Sequence, residues 1–187
     1  IILDLRGYPP SSLIRYIGKN LSKKSTEVAS FYYPSYKTPG FFLDYKKGVS
    51  YYISNNFDFL LTAMSMSKGK IMPTFHKPYA GKLVVLVNEK AISYSETIGM
   101  ILKSYRPKSV FIGRPSNGAN GDVTTIPLPY NVSVSISGLD WHYFDGSQLQ
   151  RNGITPDIEV KRTFEELVLG EDTIYEQALE YIKKEDQ

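Results

Sequence analysis

The run "KLVVLVNEKAISYSETIGMILKSYRPKSVFIGR", residues 82–114, constrains the fold more than any other stretch. Its two apolar segments, "KLVVLVN" and "SVFIGR", show no polar alternation, so each needs cover on both faces, as a strand inside a parallel sheet does. Between them "SETIGMILKSY" puts Ile98, Ile101 and Leu102 on one helical face. Strand, helix and strand in this order predict a βαβ unit, the usual way to join parallel neighbours. "IILDL", ended by Gly7-Tyr8-Pro9-Pro10, predicts a further buried strand. "SSLIRYIGKNL" predicts a helix capped by Ser11 or Ser12, with Leu13, Ile14 and Ile17 inward. The expected class is α/β.

Additional strands are predicted elsewhere. "TEVASFYYPSY", "GFFLDY" and "VSYYIS" are aromatic and β-branched but broken by prolines, which predicts strands with long loops. "FDFLLTAMSMSKGK" is ambiguous between helix and strand. "PSNGANGD" reads as a loop. "TTIPLP" and "NVSVSISGLDWHYF" alternate like half-buried antiparallel strands, and "GITPDIEV" reads as a turn into a short strand. "EDTIYEQALEYIKKE" predicts a closing helix with Ile174, Ala178, Leu179 and Ile182 on one side.

The 187 residues suit one domain with a sizeable core. A net charge of +3, whose densest basic cluster is "KNLSKK", gives no footprint for nucleic acid. There is no cysteine, which excludes disulfides and thiolate metal sites. No apolar run approaches the ~20 residues of a membrane helix. No metal-ligand spacing or phosphate-binding loop occurs, and no cofactor is expected. The chain opens inside a strand-like run, so an upstream region of a longer protein is expected.

Ser93 stands where chemistry could sit. "S-Y-S-E" fits a capping box, with Ser93 at the N-cap and Glu96 three residues on, and Ser95 could equally be the cap. The same corner holds a hydroxyl at the positive end of a helix, where main-chain amides face incoming negative charge. An oxygen attacking a carbonyl there would create an oxyanion within their reach. Local sequence leaves cap and nucleophile both open.

Four blocks, in order from residue 1 to about 160, resemble the S41 tail-specific, or C-terminal processing, serine peptidases. They are "IILDLRGYP", "LVNEKAISYSETIGMIL", "VFIGRPSNGANGDV" and "DGSQLQRNGITPDIEV". The resemblance implies a crotonase- or ClpP-like core with βαβ units and antiparallel strands, forming one peptidase core over 1–187. It also implies a peptide or protein substrate, an upstream domain of the same chain, and an extracytoplasmic location (periplasmic, secreted or lipoprotein). Ser93 maps to the nucleophile and the Tyr94 amide to one oxyanion donor. Pro10 has no amide hydrogen to give, so the candidate second donor in the turn after the first strand is Gly7 or Ser11, according to how the turn folds.

The dyad lysine of the processing branch is replaced here by Ala119. Lys103 and Lys108 read as solvated surface charges. The chain therefore resembles the tricorn-like branch, whose base is a histidine contributed from upstream. His76 and His142 are weak candidates for that base, and Gln150 stands where that branch has an orienting glutamate. Asp4 and Arg6 read as a structural ion pair, and Pro156-Asp157 as a shaped turn. The rival reading is a non-catalytic module on the same fold, binding lipophilic ligands as the similar interphotoreceptor retinoid-binding proteins do, or holding peptides as a degenerate peptidase would.

Overall fold

In the computed structural model residues 1–13, 17, 21, 26–32, 49–53, 79–121, 123–138, 140–143 and 145–185 are described. The strands are β1 (Ile2–Asp4), β2 (Thr26–Tyr32), β3 (Val49–Ile53), β4 (Val84–Val87), β5 (Val110–Gly113), β6 (Val123–Leu128), β7 (Val132–Ser137), β8 (Asp140–Tyr143) and β9 (Ile158–Glu159). Helix α1 spans Tyr94–Tyr105, α2 Phe164–Val168 and α3 Thr173–Glu185. The segments "GFFLDY" and "FDFLLTAMSMSKGK", and His76, lie outside the described residues. Of the helix expected over 11–21, Leu13, Ile17 and Leu21 are described and are helical.

A four-stranded sheet in the order β1-β4-β5-β9 organises the molecule, and every pairing in it is parallel. The unbroken apolar run of β4 is buried throughout because the sheet is covered on both faces. Val85, Val87 and Phe111 pack on one side with Ile98, Ile101 and Leu102 of α1, together with Leu5, Leu149 and Ile154. Val84, Leu86 and Ile112 pack on the other side with Ile174 and Ala178 of α3. Each fully buried aliphatic side chain contributes about 1.5–3 kcal/mol, so this double cover holds the βαβ unit rigid. Tyr181 and Ile182 complete the α3 face, whereas Leu179 stays out of that cluster, contrary to the expected stripe.

Beside this sheet lies an antiparallel one, β3-β2-β8, against which α1 also rests. The third, β6-β7, is a two-stranded ribbon. The alternating segment "NVSVSISGLDWHYF" thus divides between two sheets. Its first half is exposed rather than half-buried, since the pattern of β7 is open to solvent at nearly every position. Helix α2 was not foreseen, although Thr163 and Glu166 fit the T-x-x-E signature and the Thr163 side chain accepts from the Glu166 amide at 3.1 Å.

Ion pairs fasten the strand ends. Arg6 bridges Asp4 at 2.7 Å and Asp172 at 2.5 Å, so the expected Asp4–Arg6 pair also ties β1 to the start of α3. Asp157 fixes the edge strand through its carboxylate, which accepts the Phe111 amide at 2.7 Å. Lys103 is not a solvated charge. Its Nζ donates to the Thr155 carbonyl at 2.9 Å and lies 4.7 Å from the centre of the Phe111 ring.

Candidate active site

Ser93 caps α1 at the corner where the chain leaves β4. Its backbone sits at φ 54°, ψ −112°, a region that residues with a Cβ rarely occupy. Such a conformation costs about 1–3 kcal/mol and persists only where the surroundings over-determine it. Ser93 is half-buried. The capping-box relation to Glu96 exists, but the hydroxyl makes no cap hydrogen bond of ordinary geometry. Ser95 is not the cap: it is buried, and its hydroxyl donates to the Gly7 carbonyl at 2.9 Å.

Glu96 supplies the over-determination. Its side chain is fully buried, and four donors converge on it. The Ser116 hydroxyl (2.5 Å) and the Gly118 amide (2.7 Å) reach Oε1. The Ala119 amide (3.0 Å) and the Ser93 amide (3.2 Å) reach Oε2. The Ser93 amide is shared with the Ala119 carbonyl at 3.1 Å. A buried carboxyl at a helix N-terminus is stabilised by the helix dipole and by such charge-assisted bonds. The serine corner and the 116–119 loop are therefore one hydrogen-bonded unit. Ser116 also accepts the Ile154 amide at 2.7 Å, and Asn120 donates to Thr97 of α1 at 3.0 Å. Gly118, at φ +72°, packs so tightly that a Cβ there would come within 2.7 Å of the Arg151 carbonyl carbon. The sequence signalled Glu96 as a capping residue; its clasp on a loop twenty residues downstream needed the fold.

A second wall faces this unit more loosely. The turn after β1 is joined to α1 through the Ser95–Gly7 bond and through the Tyr94 hydroxyl, which donates to the Ser11 carbonyl at 2.9 Å. The Tyr8 and Tyr94 rings stand 6.1 Å apart. Gly7 is exposed, and a Cβ added to it would meet nothing within 4 Å. Nothing in the packing demands glycine there, and the space in front of it is open.

The base candidates are placed as follows. Ala119, in the lysine position, sits directly beside Ser93 through the shared backbone bond. His142 has both ring nitrogens engaged, Nε2 with Asp140 at 2.9 Å and Nδ1 with the Gly146 carbonyl at 3.0 Å. Burial opposes its charged form, but those two acceptors outweigh burial and raise its pKa, so it fastens the 140–148 turn as a structural group. Tyr143 is pushed well above the usual phenol range by burial and by the Glu96 and Asp145 charges, and its hydroxyl donates to the Gly153 carbonyl at 3.1 Å. Gln150 adjoins Arg151, whose amide donates to the Gly118 carbonyl at 2.7 Å. The Gln150 Oε1 atom is buried without a hydrogen-bond partner. Among the described residues there is no cluster of three metal-ligating side chains and no helix long and apolar enough to cross a membrane.

The curated carboxy-terminal-processing protease of Bartonella bacilliformis is 32% identical over 90 residues, which is 48% of this chain and 20% of that protein. A solved structure from Parabacteroides merdae, assigned as a peptidase, superposes with a TM-score of 0.71 at 21% identity. It covers 96% of this chain, which in turn spans 50% of it. The photosystem II D1 C-terminal processing protease gives 0.51 at 16% identity over 86% of this chain and 34% of that one. The α/β architecture with its added antiparallel strands is the fold these solved structures share. The chain thus spans a fifth to a half of the length of these relatives. Residues 1–160 match peptidase family S41, and the chain, carrying its four sequence blocks on that fold, belongs to peptidase family S41.

Proposed function

We propose that this chain is the catalytic core of a serine peptidase that cleaves peptides or unfolded protein tails. Ser93 Oγ attacks the scissile carbonyl and forms an acyl-enzyme, which water then hydrolyses. The developing oxyanion is received by the Tyr94 amide, at the first turn of α1, and by the Gly7 amide across the open side. Losing one such donor typically costs about 3 kcal/mol of transition-state stabilisation. The observation that carries this reading is the strained backbone of Ser93 at a strand-to-helix corner, held there by four donors on one buried glutamate.

The general base comes from outside residues 1–187, in an upstream region of a longer protein, as in the tricorn-like branch. One observation favours that source: Ala119, beside Ser93, stands in the lysine position and carries no group that could take a proton. By kinship the protein acts outside the cytoplasm, as a periplasmic, secreted or lipoprotein enzyme. Residues 1–187 alone are expected to be inactive.

The test is labelling of the full-length protein with a fluorophosphonate probe. Labelling that vanishes in Ser93→Ala supports the enzyme. Ala119 also favours a second reading, a module that holds peptide or lipophilic ligands without cutting them. Complete absence of labelling in the full-length protein would select it.

A further inference from the structure

The ribbon β6-β7 departs from the rest of the surface. Residues 123–138 contain no charged side chain, although 22% of the chain is charged. One face of the ribbon is aliphatic, with Ile126 opposite Val134 and Leu128 opposite Val132. Leu128, Val132 and Val134 on that face are 44%, 53% and 45% exposed. A lone two-stranded hairpin is marginal in water and presents open edges for pairing.

Its two edges are unequal. Pro127 lies inside β6 while the six-residue register with β7 stays unbroken, so its missing N–H belongs to the outward side. In an antiparallel ladder inward and outward pairs alternate. The Pro127–Ser133, Thr125–Ser135 and Val123–Ser137 pairs therefore turn their main-chain groups outward together. The outer edge of β6 is blunted by proline. The outer edge of β7 carries the complete N–H and C=O sets of Ser133, Ser135 and Ser137, all three exposed. Among the described residues β7 has no second partner strand.

The Ser137 end of the ribbon is joined to the Ser93 corner by a short stretch of chain. Ser137 is paired with Val123, only three residues beyond Asn120, which bonds Thr97 on α1, and Asn120 follows Ala119, the partner of the Ser93 amide. Three residues span at most about 11 Å.

We infer that the outer edge of β7 is the docking strand for an extended, charge-poor peptide, which adds to the ribbon and runs past Ser137 toward Ser93. It deepens the peptidase reading by naming how the substrate is held, and rests on that reading for the occupant. Main-chain pairing gives affinity with little sequence demand. Alternate apolar residues of the peptide would widen the Leu128–Val132–Val134 face. The absence of charge on the strip suits a chain that brings none.

Binding is measured by fluorescence anisotropy on the full-length protein carrying Ser93→Ala, so that it does not depend on catalysis. The probe is a short labelled peptide alternating valine and threonine. Methylating the alternate backbone nitrogens that face β7 should weaken binding at least about tenfold, the equivalent of about 1.4 kcal/mol. Ser135→Pro, which removes an outward N–H, should weaken it similarly. Equal affinity of the methylated and parent peptides, or no binding of the parent, overturns the inference. So does a dimer that dissociates in Ser135→Pro without any peptide binding, which would assign the edge to a second copy. Failure of fluorophosphonate labelling would sink the Ser93 chemistry while leaving the methylation result to decide this site separately.

Discussion

Two glycines lie in the two segments bonded to the first turn of α1, and their settings are opposite. Gly118 is locked: its φ is positive, a Cβ would collide with the Arg151 backbone, and its amide is one of four donors on buried Glu96. Gly7 is free: it lies in an exposed turn with nothing within 4 Å of where a Cβ would stand. One wall of the corner therefore fixes the serine, while the other is tied to α1 by the side chains of Ser95 and Tyr94 and is open in front of Gly7. The difference teaches that backbone strain at Ser93 needs a rigid support, whereas the turn at Gly7 keeps its outer side open.

The contrast can be broken most severely at Glu96. Glu96→Ala strands the amides of Gly118 and Ala119 and the Ser116 O–H, each costing about 1–3 kcal/mol when buried and unpaired, and leaves the Ser93 amide only the Ala119 carbonyl. A loss of roughly 3 kcal/mol or more is expected in urea unfolding; a loss under about 1 kcal/mol would mean that the clasp contributes little. Gly118→Ala comes next, because left-handed backbone costs a residue with a Cβ about 1–2 kcal/mol before the collision is counted. A drop of roughly 2–4 kcal/mol in the same assay is expected.

Gly7→Ala sharpens the comparison from the other side. Stability should stay within about 0.5 kcal/mol of the parent, as at exposed positions without special contacts. In the full-length protein kcat/KM should fall, because the methyl group enters the open space. Equal stability losses in Gly7→Ala and Gly118→Ala would erase the distinction between the walls.

The smallest effect belongs to His142, whose turn leads into the residues packed on Gly118. Its folded pKa is raised, so its stabilising contribution is full below the ordinary histidine value and is lost as pH rises through the higher folded value. Stability measured across that window should decline slightly in the parent and not in His142→Asn.

Much of this was legible before any coordinates. The βαβ unit followed from apolar runs that need cover on both faces, and the place of Ser93 at a strand-to-helix corner followed from the S-Y-S-E pattern after an apolar run. The clasp by Glu96 was hidden because its partners lie twenty residues downstream, and a capping-box pattern accounts for the same glutamate locally. Alternation in "NVSVSIS" reports a two-faced strand but not whether anything covers its apolar face; here the ribbon leaves it open. Lys103 read as solvated because the sequence cannot show Thr155 and Phe111 folding over it.

A structure of the full-length protein after reaction with a fluorophosphonate would test the assignment of Ser93 most directly. The account predicts a bond from Ser93 Oγ to phosphorus, with the phosphonyl oxygen about 2.7–3.1 Å from the amides of Tyr94 and Gly7. An adduct on another residue, or an oxygen turned away from both amides, would contradict it.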